Sequence, residues 1–419
     1  MKWVLKLLVG SLVVLLVTLS FASTRITFWH MYDSGPGKEL MDEIIKEFNE
    51  TNELGIEVKA LAISFWDYWD KLGVAMAAGE EPDVFMHDLG NVPSRAYKGI
   101  IADLTPYIEA RGMDADKLFF EVPFSMCKWE GKVYALPFET DVRLLYYNKD
   151  LFKLAGLDPE RPPKTWKELW EYADKITKKT AEGEYDILGF NPLYGQSYFW
   201  IYVWGIGGTF LENGKIKVNN PSIVKALEEW VAMLKKLGIK KLQNFNAKYG
   251  WGSDAFLSGK LGMVIQVGQY GSTIRTFAPN VNYGVTYIPY PARKATWSNG
   301  FSLEVSSRSE HRKEAAEFAL YLVSKEVQLL FAQKLNSLVC NKEAAFDPTL
   351  MQNPEWKLQV NALQYSRFRP FVLEAPTWYE ELQKAVDEAV LKGKDVKRAL
   401  DDAQKRIEAE ILRFKMTNK

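Results

Sequence analysis

Glu139, Asp141 and Arg143 stand two apart in the stretch 135–152, ALPFETDVRLLYYNKDLF. In an extended chain alternate side chains share a face, so the two acids and the guanidinium project together, while Val142, Leu144 and Tyr146 project the other way. Such a face accepts hydrogen bonds from hydroxyls through its carboxylates, and Arg143 donates to a hydroxyl or carboxylate through its planar fork. If Asp141 neutralises Arg143 a neutral ligand is favoured; an unpaired Arg143 favours an acidic one. The same three charges also suit a buried ion-pair network that sets the geometry of a hinge. Two carboxylates roughly 5–7 Å apart on one strand overlap the spacing of a retaining glycosidase pair. That pair flanks the scissile bond from two sides, which neighbours on one strand face do not readily do.

The elements that must hold this stretch alternate in type. Residues 25–29 alternate as a strand, Leu40, Met41, Ile44, Ile45 and Phe48 form a helical stripe, and 56–60 is a second strand. Ser64 or Asp67 caps a helix through Leu72, Ala75 and Met76, and 82–86 is a third strand. The order β-α-β-α-β argues for an α/β lobe on a mostly parallel sheet. Stretch 135–152 is then a strand crossing between two lobes, and a second α/β unit opens with Thr165 and Glu168 at capping-box spacing. A helix through Val224, Leu227, Val231 and Leu234, a long helix from about 310 to 335, and two C-terminal helices through Leu382 and Leu400 complete the pattern. The segment 301–305 is read as a second crossing and the region 340–346 as a third.

Ligands of open α/β sheets sit beyond the carboxyl ends of the strands. That rule selects Tyr32 and Asp33 after the first strand, Trp66 after the second and Asp88 after the third. Trp29, Trp66, Trp200, Trp204, Trp297 and Trp378 offer aromatic planes; Asp33, Asp88, Glu139, Asp141, Arg143, Gln196 and Gln269 offer polar groups, with Tyr270 beside Gln269. Planes for apolar C–H faces and fixed polar groups for a rim of hydroxyls are what a saccharide needs.

Composition narrows the classes. A chain of 419 residues with 47% hydrophobic residues supports two cores rather than one. Fifty-three basic and 53 acidic residues cancel, which leaves no electrostatic footprint for nucleic acid. Residues 1–22 hold Lys2 and Lys6, an apolar run and Ser20-Phe21-Ala22, the pattern of a cleaved signal peptide; retention as a membrane anchor is the alternative. No Cys lies near the cleavage site, so a diffusing periplasmic or secreted protein is expected rather than a lipoprotein. Cys127 and Cys340 form either one disulfide or two buried thiols. No H-E-x-x-H, G-x-S-x-G or Walker A motif occurs, and neither a cofactor nor a metal is expected.

The blocks ITFWHMYDSGPG, PDVFMHD, ALPFETDVRLLYYNKDLFKLAGLDPERPPKTWKEL, DAFLSGKLGMVIQVGQYGSTIR and APTWYEELQKAVDEAVLKGKDVKRALDDAQKRI resemble those of the family 1 extracellular solute-binding proteins of ABC transporters, which include the maltose-binding proteins. The resemblance implies a periplasmic-binding-protein-like α/β fold of two lobes joined by three hinge crossings. Lobe boundaries of 23–139 with 305–345, and 140–304 with 346–419, follow. It implies a monomeric receptor that closes on a sugar or oligosaccharide and delivers it to permease subunits, and it assigns Trp378 to stack on the sugar. Trp378→Ala is therefore expected to weaken binding at least tenfold without unfolding the protein. The chain departs from the maltose-binding type in placing Gln269 and Tyr270 where that type has Trp. The competing readings are a secreted glycoside hydrolase or lyase using Glu139 and Asp141, and a receptor for a solute that is not a sugar.

Overall fold

Two five-stranded sheets organise the computed structural model, which describes residues 23–249 and 253–417. The signal-peptide pattern of residues 1–22 lies outside the described residues. In the first sheet the strands run in the order Ile56–Ala62, Thr24–His30, Val84–Asp88, Gly300–Val305, Ala135–Thr140. The first three are parallel, and the last two join antiparallel. The helices Gly35–Thr51 and Phe65–Ala78 make the crossovers, the second capped by Ser64, whose hydroxyl accepts from the Asp67 N–H at 3.3 Å. In the second sheet the order is Tyr283–Thr286, Arg143–Asn148, Leu261–Val267, Tyr185–Phe190, Lys178–Lys179. The chain is thus two α/β lobes, and strands such as Ala135–Thr140 and Arg143–Asn148 are fully buried because helices pack on the sheets.

The expected single strand through 135–152 is two strands. Ala135–Thr140 belongs to the first sheet and Arg143–Asn148 to the second, and the chain breaks at Asp141 and Val142 between them. Alternation therefore does not carry across the break, and Glu139 does not share a ladder face with Arg143. Gly300–Val305 lies wholly in the first sheet, so a division at 304/305 cuts a strand, and the crossing falls ahead of Gly300. Gly300 has φ +148°, and a Cβ there would lie 2.1 Å from the Glu139 carbonyl oxygen; only glycine lets the two crossing segments approach so closely. The long helix expected over 310–335 is interrupted: Arg312–Leu322 ends, and Ser324 caps Lys325–Leu335 by accepting from the Val327 N–H. A serine hydroxyl competing for backbone groups favours a new N-terminus over an unbroken helix.

Cys127 and Cys340 are buried, separate thiols. Burial pushes both thiols well above their ordinary value.

Candidate functional site

The two sheets meet along a polar line that begins on the first sheet and ends on the second. Asp88 closes the third parallel strand and accepts from the side-chain amides of Asn91 and Asn299, each at 3.2 Å. The Asn299 backbone N–H donates to Asp141 Oδ1 at 2.7 Å, and Asp141 pairs with Arg143. Arg143 donates in turn to the Trp297 carbonyl and to Gln196 Oε1, both at 3.3 Å. Of the residues proposed from sequence, Asp88, Asp141, Arg143, Gln196 and Trp297 are therefore brought together. Arg143 is neutralised by Asp141, the arrangement that at this residue favours a neutral partner.

Trp297 is the centre of the aromatic part. Its short strand Thr296–Trp297 pairs with Ser366–Arg367, which brings a C-terminal loop to the seam. The Arg143 guanidinium lies 3.9 Å from the Trp297 ring centre. Tyr198 and Trp200 stack on each other at 4.4 Å and turn their rings edge to face with Trp297 at 4.8 and 5.1 Å. Arg369 lies 3.6 Å over Tyr379 and 5.2 Å from both Trp200 and Trp297. A cavity of about 20 Å³ opens here between Gly90 and Asn91 on one side and Trp297, Arg369, Pro370 and Tyr379 on the other. That is room for about one water, so a saccharide needs the lobes to part before it can enter.

Glu139 and Tyr32 form a second group beside this line. Glu139 is buried and accepts from the Ser337 hydroxyl, while Tyr32 packs its ring against Phe331 at 5.5 Å. Burial raises the Glu139 carboxyl, against the pull of Ser337 and Tyr32; burial and the adjacent Glu139 raise the Tyr32 phenol. Glu139 and Asp141 thus sit in different surroundings rather than as matched neighbours on one ladder face.

The other sequence candidates fall elsewhere. Asp33 is exposed and accepts from the Ser34 hydroxyl. Trp66 is 66% exposed at the start of its helix, with Phe65 edge-on at 5.2 Å. Gln269 is half-buried at the N-cap of the helix Tyr270–Phe277. Tyr270 is buried, packs on Tyr146 at 5.2 Å and donates to Asp254 at 2.9 Å inside its own lobe. Trp204 is buried against Phe210. Trp378 is 1% exposed: its indole N–H donates to the Pro370 carbonyl at 2.8 Å and its ring packs on Phe210 at 5.1 Å. Helical spacing with Leu382 turns it inward, and the adjacent Tyr379 takes the cavity wall instead. Sequence reading missed Tyr379, Arg369, Asn91 and Asn299. The run Arg367-Phe368-Arg369-Pro370 has no periodicity to flag it; cations interleaved with aromatics were its one signal.

His30 ends the first strand under this site, fully buried, its Nδ1 accepting from the Tyr32 backbone N–H at 3.3 Å. Burial lowers its pKa from 6.5 to about 4. The folded value is the depressed one, so the unfolded chain binds more protons between the two. Stability from His30 is full above pH 6.5, is lost as pH falls, and levels off below about 4. The total is about 3 kcal/mol. Unfolding free energies at pH 7.5 and 4 should differ less in His30→Asn than in the parent by about that amount.

Comparison with known proteins agrees along nearly the whole chain. Residues 33–329 match the family model described as bacterial extracellular solute-binding protein. A curated relative, the sn-glycerol-3-phosphate-binding periplasmic protein UgpB of Brucella melitensis, is 27% identical over 442 residues, spanning 96% of this chain and 97% of the relative. The solved structure of CpMnBP1 with mannobiose bound superposes with a TM-score of 0.78 at 28% identity, covering 93% of this chain and all of that one. The maltose-binding periplasmic protein MalE of Listeria monocytogenes in complex with maltose shares the fold, with a TM-score of 0.75 at 17% identity over 93% of this chain and 98% of that one.

Proposed function

The chain belongs to the bacterial extracellular solute-binding proteins, and from that premise and the geometry of the seam we propose that it is a carbohydrate receptor whose two lobes close on a sugar or oligosaccharide. It is the binding protein of an ABC importer rather than an enzyme; its relatives are likewise named as binding proteins. The observation that carries the reading is the set of rings around Trp297, with the line Asp88, Asn299, Asp141, Arg143 and Gln196 beside it, at the junction of two lobes. Rings supply surfaces for C–H faces and the fixed polar groups select hydroxyls.

The binding residues are assigned as Asp88, Asp141, Arg143, Gln196 and Trp297, joined by Tyr198, Trp200, Asn299, Arg369 and Tyr379. Glu139 and Tyr32 support the wall behind them. Lobes of 23–140 with 300–345, and 141–299 with 346–417, are proposed; sheet membership supports the divisions near 140 and 300, and the helices after Val305 are assigned without it. The receptor acts as a monomer, with permease subunits as its partners and no nucleic acid. No described helix is long and apolar enough to cross a membrane; export with cleavage of the leader rests on the pattern of residues 1–22 alone.

Closure is the signal, because a permease that prefers the closed form responds to ligand only through the population shift that ligand causes. A thermal-shift screen of the mature protein against mono- and oligosaccharides, polyols and uronates tests the reading, with sugar analysis afterwards. A true ligand at about a hundred times its dissociation constant adds roughly 2.7 kcal/mol and is recovered intact. Cleaved sugar without a shift overturns the receptor reading in favour of a hydrolase.

A further inference from the structure

Two surfaces of the second lobe run on from the seam together. On the helix Trp378–Leu391, Tyr379 walls the seam cavity, and Gln383, Val386, Asp387, Val390 and Leu391 follow it at helical spacing on the same face. Facing them is the connection that enters the helix Phe199–Gly205. Its Gln196 bonds Arg143 and its Tyr198 meets Trp297 edge to face, while Tyr194, Ser197 and Tyr198 line the space in front of Trp378–Leu391. That space is a groove of about 410 Å³, against about 20 Å³ at the seam, and its size is that of a small-ligand site. From Tyr379 to Leu391 the helix rises roughly 18 Å, room for more than one sugar ring. Phe199–Gly205 and Trp378–Leu391 both pack on the helix Pro221–Leu237. The groove therefore belongs to one lobe, and movement of one lobe against the other leaves it intact.

Phe199 and Trp230 are buried at the floor of the groove, and Tyr194 and Tyr198 are half-buried above them. The two tyrosine rings are held in place. The Tyr194 hydroxyl donates to the Tyr249 carbonyl at 3.1 Å and accepts from the Ala255 N–H at 2.9 Å, and Tyr198 stacks on Trp200. Gln243, Gln383 and Asp387 are exposed along the rim, where Gln383 Nε2 donates to Asp387 Oδ1 at 2.9 Å. Two amides and a carboxylate offer both donors and acceptors, as a sugar hydroxyl requires, and fixed rings offer planes for C–H faces. We propose that the groove is an outer subsite: the ligand is an oligosaccharide with one end held at the seam and its further units laid along the second lobe. Tyr194 and Tyr198 carry those units, and Gln243, Gln383 and Asp387 take their hydroxyls. The inference rests on the saccharide-receptor reading and names the length class of the saccharide. Because closure does not build the groove, the outer units tether the ligand to one lobe before the other closes on it.

Length series test this by calorimetric titration: glucose to maltotetraose, mannose to mannotetraose, glucose to cellotetraose, and the series of any other sugar that the wider screen returns. The expected result is one series whose tetrasaccharide binds at least tenfold more tightly than its disaccharide. Gln383→Trp fills the groove from an exposed position. In that variant the gain with length should fall below threefold, while the disaccharide affinity changes less than threefold; Asp387→Ala should remove part of the gain. Equal or weaker binding of the longer members overturns the inference and leaves the receptor reading standing. A full gain that persists in Gln383→Trp overturns it too, since the added units then lie elsewhere. So do equal losses at both lengths in a Gln383→Trp protein of parental melting temperature, since the groove then acts only through the seam. If no member of any series binds, nor any sugar in the wider screen, the receptor reading fails and the inference fails with it.

Discussion

Trp378→Ala is expected to destabilise the fold by about 3–5 kcal/mol while leaving the affinity of the folded protein for its ligand within about threefold. The ring is 1% exposed, touches Phe210 and Tyr379, and holds the Pro370 carbonyl through its indole N–H. Removing it leaves a void among buried side chains and an unpaired carbonyl, and neither relaxes without moving the C-terminal helices. Tyr379→Ala should show the reverse: a melting temperature close to that of the parent and an affinity loss of tenfold or more, because this ring carries Arg369 at the cavity wall. Urea denaturation and titration of both variants decide between the two neighbours. A Trp378→Ala protein of parental stability that no longer binds would return the stacking role to Trp378.

Arg95→Leu should cost a similar amount, about 3–5 kcal/mol, for an electrostatic reason. Glu304 is 0% exposed and takes two hydrogen bonds from Arg95, at 2.5 and 2.6 Å, and one from the Ser302 hydroxyl at 2.7 Å. Without Arg95 its charge is buried and uncompensated. Arg95 also donates to the Asp88 carbonyl at 2.6 Å, so it holds the strand end that faces the cavity. The double variant Arg95→Leu, Glu304→Leu removes both charges and should recover most of the stability. Its affinity should stay reduced, since nothing then fixes the backbone at Asp88. Denaturation of the single and double variants, with binding measured on each, separates the two effects; a double variant as unstable as the single one would show that packing, not the unpaired charge, is at stake.

The α/β order of the first lobe, the caps at Ser64 and Thr165, and the arrival of 135–152 at a crossing were legible because each depends on residues a few positions apart. Helix stripes and caps are local, and their period is written in the chain. Asp88, Asp141, Arg143, Gln196 and Trp297 could be named for a related reason: they stand at or near strand ends, where side chains reach a cleft whatever the details of packing. The outcomes at Trp378 and Tyr270 could not be named, since both are aromatic residues beside loops and only the tertiary fold decides which face meets Phe210 or Asp254.

By itself, then, the sequence determined the class of fold and the two-lobed plan, and it supplied the candidates for the site, because composition, periodicity and strand ends are properties of short stretches. Only the tertiary structure decided which aromatic residues face the cavity, that the strand through 135–152 breaks at Asp141, and that Arg369 stands beside Trp297. Those facts join residues far apart in the chain: Arg143 with Trp297, Asp88 with Asn299, Arg95 with Glu304. The physical reason is that a charge or a ring has no preferred partner until burial removes water, and which partner is then nearest is a property of the packed whole.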